Sequence, residues 1–387
     1  MTLTFLLCFF LILVALIFSV IITNRVVKLD IQEVRYPEID GLRGYLAFFV
    51  FLHHSYIWRF FLQNGEWEEP KSNLFNHFGQ TTVAFFFVIT AFLFTLKLIN
   101  SKSKQIDWTA YINARLYRLF PMYLFSVGII FFIAGYLTNF KSRIPFFENL
   151  LHLLSWIFFN IRKGLSINGL EDSFLFNAGV TWTLPYEWAF YFLLPLIALF
   201  FKIKVNYKTL LLFISTAAVI MIINESSLRH FFPFLGGIIA ALVISKNKLG
   251  AVLQQKKYAF LAVLLIACSI YFFNSGRKPI PIIITTIVFI IIASGNSFFG
   301  LLSSTFSRKF GQITYSIYLL HGILLFVIFY FVIGFEQAKD LTELEFWSII
   351  TLAVFPLIFI SQLTFKYIEH PLMELAKVKL KSSVVKS

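Results

Sequence analysis

The feature that most limits what this chain can fold into is the recurrence, from one end to the other, of apolar stretches about as long as a bilayer is thick. A transmembrane helix needs roughly 20 mostly apolar residues. Such stretches are read at about 5–23, 43–62, 80–97, 119–138, 182–201, 209–223, 230–245, 258–274, 279–295, 313–334 and 346–366. The expected fold is therefore an all-α polytopic membrane protein with about eleven transmembrane helices. Composition agrees, since 59% of residues are hydrophobic, 19% are aromatic and only 13% are charged. A soluble core of this length needs far less apolar material.

The formal charge of +14 would suit nucleic acid only if it lay on a soluble face. Here the basic residues fall in loops between apolar segments, so no nucleic-acid partner is expected. Placing the segment after the first helix in the cytoplasm collects Arg25, Lys28, Arg35, Lys97, Arg115, Arg118, the lysines at 202–208 and 246–257, and Arg308 and Lys309 on the inner side. The opposite loops carry Glu66, Glu68, Glu69, Glu336 and Asp340. The positive-inside rule then puts the amino terminus outside and the carboxyl terminus in the cytoplasm of a plasma membrane.

The first segment lacks a basic leader and a small-residue cleavage site, so residues 1–30 are read as a retained anchor helix. An integral membrane domain follows over 35–375, and 376–387 form a basic cytoplasmic tail. Cys8 and Cys268 lie on different expected helices and are read as packing residues. The longest extracytoplasmic stretch is expected at about 139–181. Within it the amphipathic piece NLLHLLSWIFFN is expected to lie in the interface plane and cap the site from outside.

Ionisable side chains within the hydrocarbon region cost about 2.5–3.5 kcal/mol each on insertion scales and are functional candidates. The second helix carries Arg43 at its cytoplasmic mouth and His53 and His54 near its middle. At about 100° per residue, eleven steps place Arg43 and His54 within about 20° of one face, with His54 about 16 Å deeper. His53 points about 100° away and is not expected to share that role. Imidazole is the side chain best suited to taking a proton from a hydroxyl near neutral pH, although a buried histidine also serves as a structural bond between helices. Thr90 and Ala91 are read as small residues that let helices approach.

Arg115 and Arg118 share a face and suit phosphate oxygens, or else reflect inner positive charge alone. Glu187 sits between Trp182 and Trp188 one or two turns inside the outer boundary, where a carboxylate can hold a sugar hydroxyl or orient a proton-transfer partner. His321 is placed about 10 Å from the inner start of its helix. Glu369 and His370 precede Pro371 and are read as a helix terminus that Pro ends.

In order along the chain these residues resemble the membrane acyltransferases of acyltransferase family 3, which O-acylate envelope polysaccharides and related glycans. The resemblance rests on Arg43 and His54 within EIDGLRGYLAFFVFLHHS, on FFFVITAFLFT at 85–95, and on the box of Arg115, Arg118, Pro121 and Tyr123. It rests also on Trp182, Leu184, Glu187 and Trp188, on SIYLLH with His321, and on Glu369 to Pro371. It covers roughly 35–375 and leaves the first helix as an addition to a ten-helix core. Two departures, Thr90-Ala91 for the usual Ser-Gly and no Pro after Gly322-Ile323, bear on helix packing more than on chemistry.

The resemblance implies a cytoplasmic acyl-CoA donor, most often acetyl-CoA, with no metal and no permanently bound cofactor. It implies a glycan or lipid-linked glycan acceptor in the bacterial inner membrane, such as lipopolysaccharide O-antigen, capsule or exopolysaccharide. On that basis Arg115 and Arg118, with Tyr123 and His321, hold the donor, and Arg43 orients its thioester end. His54 acts as general base or transient acyl carrier, and Glu187, approached from the outer side, places the acceptor hydroxyl. The chain acts alone or with a separate extracytoplasmic partner. A proton-coupled transporter or flippase of an anionic or lipid-linked metabolite is the alternative class.

Overall fold

The computed structural model describes residues 3–29, 35–101, 106–160, 162, 165–246 and 249–376. The tail expected at 376–387 lies almost wholly outside the described residues. The protein is an all-α polytopic membrane protein, with no β-strand among the described residues. Its helices are α1 (Leu3–Val27), α2 (Pro37–Asn64), α3 (Asn73–Asn100), α4 (Trp108–Leu137), α5 (Phe146–Ile157), α6 (Leu184–Phe200), α7 (Tyr207–Ile223) and α8 (Phe232–Ser245). The short α9 (Gly250–Leu253) is followed by α10 (Lys256–Phe272), α11 (Pro279–Ala293), α12 (Thr305–Gln312), α13 (Thr314–Val327), α14 (Phe335–Lys339) and α15 (Glu343–Thr364). Among the described residues each of the expected apolar segments is helical over most of its length, and seven helices are long and apolar enough to cross a membrane.

Local chemistry sets the ends. Proline opens α2, α6, α8 and α11, where its missing N–H would have no helical partner in any case. The Asp107 carboxylate accepts from the Ala110 N–H at 2.9 Å to cap α4, and Thr342 with Glu345 forms a reciprocal cap on α15. Pro371 does not end the last helix as expected. A π turn over Phe365–Glu369 precedes it, and the helix runs on to Ala376. The widened turn re-routes the backbone bonds, so a residue without an N–H fits beyond it.

Two close crossings hold the core. A Cβ on Gly41 of α2 would stand 1.9 Å from the Leu302 carbonyl oxygen, and one on Gly311 of α12 would stand 1.8 Å from that of Asp40. The first two turns of α2, the second of which carries Arg43, are thereby locked against α12. On the other side of α3, Ala91 is fully buried opposite Gly237 of α8. The methyl that replaces the usual glycine on α3 is matched by a glycine on its neighbour.

The stretch after α4 departs most from expectation. Residues 173–183 were expected outside the membrane or inside a helix, yet they form two short 3₁₀ turns, Ser173–Asn177 and Val180–Thr183, buried along α13. Phe176 packs edge-on against Phe326 at 4.9 Å, and the Asn177 backbone fills the space a side chain at Gly322 would need. Irregular backbone survives here because it is enclosed by protein and bonded internally. The Asn177 amide oxygen accepts from the Gly179 N–H at 3.0 Å, and the Val180 carbonyl accepts from the Tyr318 hydroxyl at 2.9 Å. As a result α6 begins only at Leu184, well inside the bundle. The amphipathic α5 forms as expected, with Phe146, Phe147 and Leu151 exposed. It packs against α4 and lines neither of the two cavities described next, so it is not their cap.

Candidate active site

Two cavities penetrate the bundle from opposite ends. The lower one, on the side of the α2 and α4 amino termini, has a volume of about 310 Å³. Its wall carries Arg43, Lys97, Arg115, Arg118 and one carboxylate, Glu187. The Arg115 guanidinium lies over the Phe94 ring at 5.0 Å, and its buried Nε has no hydrogen-bond partner among the described residues. Arg43 stands 3.8 Å from Asp40. Glu187 accepts from the Tyr191 hydroxyl and, at 3.3 Å, from Thr90. Buried charges of one sign are costly, and the carboxylate offsets part of that cost while leaving a net positive chamber shaped for an anion. Arg43 and Arg118 also line an adjoining vestibule of about 300 Å³ that takes in Arg35, Arg308 and Glu369.

The upper cavity, about 700 Å³, holds His53 and His54 in its wall together with Gln80, Trp182, Arg229, His230, Ser275, Arg277 and Lys278. It meets the lower one at Val83, Phe87 and Tyr318, which line both. Tyr318 is fixed there by its bond to Val180 and a 2.8 Å bond with the Thr183 hydroxyl.

The histidines can be assigned from their partners. His321 Nδ1 lies 2.9 Å from the Ile317 carbonyl, which can only accept, so that nitrogen carries a proton. In the neutral ring His321 Nε2 is then an acceptor, and His54 Nδ1, 3.0 Å away, donates to it. His54 Nε2 is left with a free lone pair in a partly open side chain on the cavity wall. Behind it His321 is fully buried and lines neither cavity. The arrangement has the form of a general base oriented by a second group.

The sequence model of the acyltransferase domain matches residues 36–366. The chain belongs to acyltransferase family 3. No curated protein and no solved structure matches it.

Of the residues expected to form the acyltransferase's centre, Arg43, Arg115 and Arg118 line one cavity, the lower one. His54 lines the upper cavity, beyond the shared constriction. Glu187 was expected on the outer side, but it stands in the first turn of α6 and lines the lower, basic cavity. His321 contacts His54 and not the donor chamber. Tyr123 is fully buried, donates to the Trp156 carbonyl at 2.5 Å and stacks on Phe159, away from both cavities. His53 does reach the upper cavity, against expectation, yet its Nδ1 donates to the Phe75 carbonyl at 2.7 Å and its ring packs over Gly79.

Sequence reasoning passed over Lys97, which read as loop charge, and Thr90, which read as packing. It also missed Tyr318, although its place three residues before His321 puts the two on one face of α13.

Proposed function

We propose that this acyltransferase moves an acyl group, acetyl in the simplest case, from acyl-CoA to a hydroxyl of an envelope polysaccharide or lipid-linked glycan. The observation that carries this reading is the meeting of a cation-lined cavity and a larger one at a constriction beside a histidine with a free lone pair.

Guanidinium forks suit phosphate oxygens, so the donor's phosphates belong with Arg43, Arg115, Arg118 and Lys97. The nucleotide takes the vestibule toward Arg35, and the slender thioester arm points to Tyr318. The acceptor hydroxyl enters from the opposite cavity. His54 Nε2 takes its proton as the hydroxyl oxygen attacks the thioester carbonyl. The new C–O bond forms, the C–S bond breaks, and the departing thiolate recovers the proton from His54. Glu187 acts on the donor side by setting the potential of the arginine cluster, in place of the acceptor role expected of it.

With the basic end in the cytoplasm, as loop charge favours, donor and glycan meet from opposite faces of a bacterial inner membrane.

The test is transfer from labelled acetyl-CoA to envelope glycan in membranes carrying the wild type or His54→Ala. Label with the wild type alone is the expected result. Equal labelling by both proteins would remove His54 from the centre. Incubation of donor without acceptor separates the two forms of the mechanism, because label retained on His54 identifies an acyl carrier and its absence identifies a base.

A further inference from the structure

Proton transfer at His54 does not by itself call for a charged acceptor entrance, yet the rim of the upper cavity is one. Arg229, Arg277 and Lys278 stand exposed at its mouth, and no aspartate or glutamate lines it. Arg277 is paired with Glu69 at 2.8 Å and lies over the Trp182 ring at 5.4 Å. The side chains of Arg229 and Lys278 have no hydrogen-bond or ion-pair partner among the described residues. The rim is built, because the Ser227 N–H donates to the Tyr186 hydroxyl at 2.9 Å and the His230 ring packs on Trp182 and Tyr186, both at 5.0 Å.

A second, independent feature lies deeper. Gln80 is 5% exposed, and its amide nitrogen has no hydrogen-bond partner among the described residues. The orientation of that amide follows from its neighbour. The Ser275 hydroxyl accepts from the Arg277 N–H at 3.3 Å and donates to Gln80 Oε1 at 2.6 Å, so the amide N–H groups are left unpaired just beneath the cavity wall that Gln80 lines. A buried donor left unpaired is costly, and an acceptor oxygen from a ligand would satisfy it. Donors and cations therefore line the path to His54, in a low-dielectric funnel that concentrates anions.

We propose that the upper cavity is an acceptor site for an acidic glycan, one that carries a carboxylate or phosphate close to the hydroxyl to be acylated. Arg229 and Lys278 bind the oxyanion at the rim, and Gln80 Nε2 donates to a sugar oxygen on the way to His54. This rests on the reading of His54 as the acylating centre.

The experiment uses the full-length protein in detergent with acetyl-CoA and four additions: a p-nitrophenyl glucuronide, the matching neutral glucoside, glucose 1-phosphate, and vesicles of anionic phospholipid. Each is measured as acceptor or as competitor of transfer to native glycan. At least tenfold better use of, or inhibition by, one of the sugar anions over the glucoside is expected, and whichever is stronger names the carboxylate or the phosphate as the source.

Arg229→Gln with Lys278→Gln should bring the anions down to the level of the glucoside without moving the KM for acetyl-CoA. Parity of anionic and neutral sugars in the wild type would overturn the proposal while leaving His54 in place. Inhibition by anionic vesicles with neither sugar anion effective would assign the cations to lipid headgroups and overturn it equally. No consumption of acetyl-CoA by the wild type with any acceptor would remove the donor reading, and the proposal with it.

Discussion

The two cavities differ in where they keep their charge. In the lower one the arginines Arg43, Arg115 and Arg118 are themselves partly buried and surround the Glu187 carboxylate. In the upper one the cations stand exposed at the rim, and the wall below them carries His54, whose ring is hydrogen-bonded to the fully buried His321 behind it. Interior cations lose solvation and must be offset by a fixed carboxylate or a ligand, so the lower chamber suits a ligand whose own charge enters the protein. Rim cations keep their water and act as a filter. On the proposed reading, with His54 as the base in the wall of the upper cavity, one side binds by charge while the other selects.

That division can be broken first at its centre. His54→Ala should lower transfer by about 10²–10⁴-fold, the usual worth of a positioned base, with membrane insertion intact because a polar group has been removed from the bundle. Full activity in labelled-acetyl transfer would mean that neither cavity leads to the reacting atoms.

His321→Ala should cost about 10²-fold in kcat, since His321 itself lines neither cavity and works only by holding the His54 ring. His321→Gln, whose amide oxygen can accept the same proton, should restore part of the loss. A shift in the KM for acyl-CoA with kcat unchanged would instead place His321 on the donor.

The two sides are separated by opposite-signed changes in the lower chamber. Arg118→Gln should raise the KM for acyl-CoA about tenfold, the worth of one charge-assisted contact, and leave that of the acceptor alone. Glu187→Gln removes the sole carboxylate in that wall and should lower the same KM at low salt. Were Glu187→Gln to move only the acceptor's KM, the outer role first expected of that residue would be restored.

The smallest effect belongs outside both cavities. Tyr123→Phe should lower thermal stability by about 1 kcal/mol through its lost bond to the Trp156 carbonyl, with both KM values unmoved.

Much of the fold was legible because hydrophobic length is written into each segment locally. Every apolar stretch became a helix, and the three-residue and eleven-residue spacings that align Arg115 with Arg118 and Arg43 with His54 follow from helix geometry alone. Legibility failed where backbone leaves regular structure. A hydropathy pattern cannot distinguish 3₁₀ turns buried along α13 from an exterior loop, so Glu187, just beyond them, is read on the outer side although it lines the basic cavity. Pro371 misled for a related reason, because its tolerance depends on a π turn that no propensity marks.

What the sequence by itself determined is the class of solvent, the set of spanning segments, the side on which basic residues gather, and which polar groups enter the membrane. These depend on transfer free energies and on periodicity, which are properties of each segment. Only the tertiary structure decided the partners. It set His321 behind His54 and not beside the donor, turned Tyr123 into a packing bond, and drew Lys97 and Glu187 into one chamber. It also brought Arg229, Arg277 and Lys278 from two separate loops around one mouth. Helices in a bilayer gain little from hydrophobic burial against one another, so small-residue contacts and a few polar bonds choose which faces meet. Those contacts join residues far apart in the chain and leave no local signature.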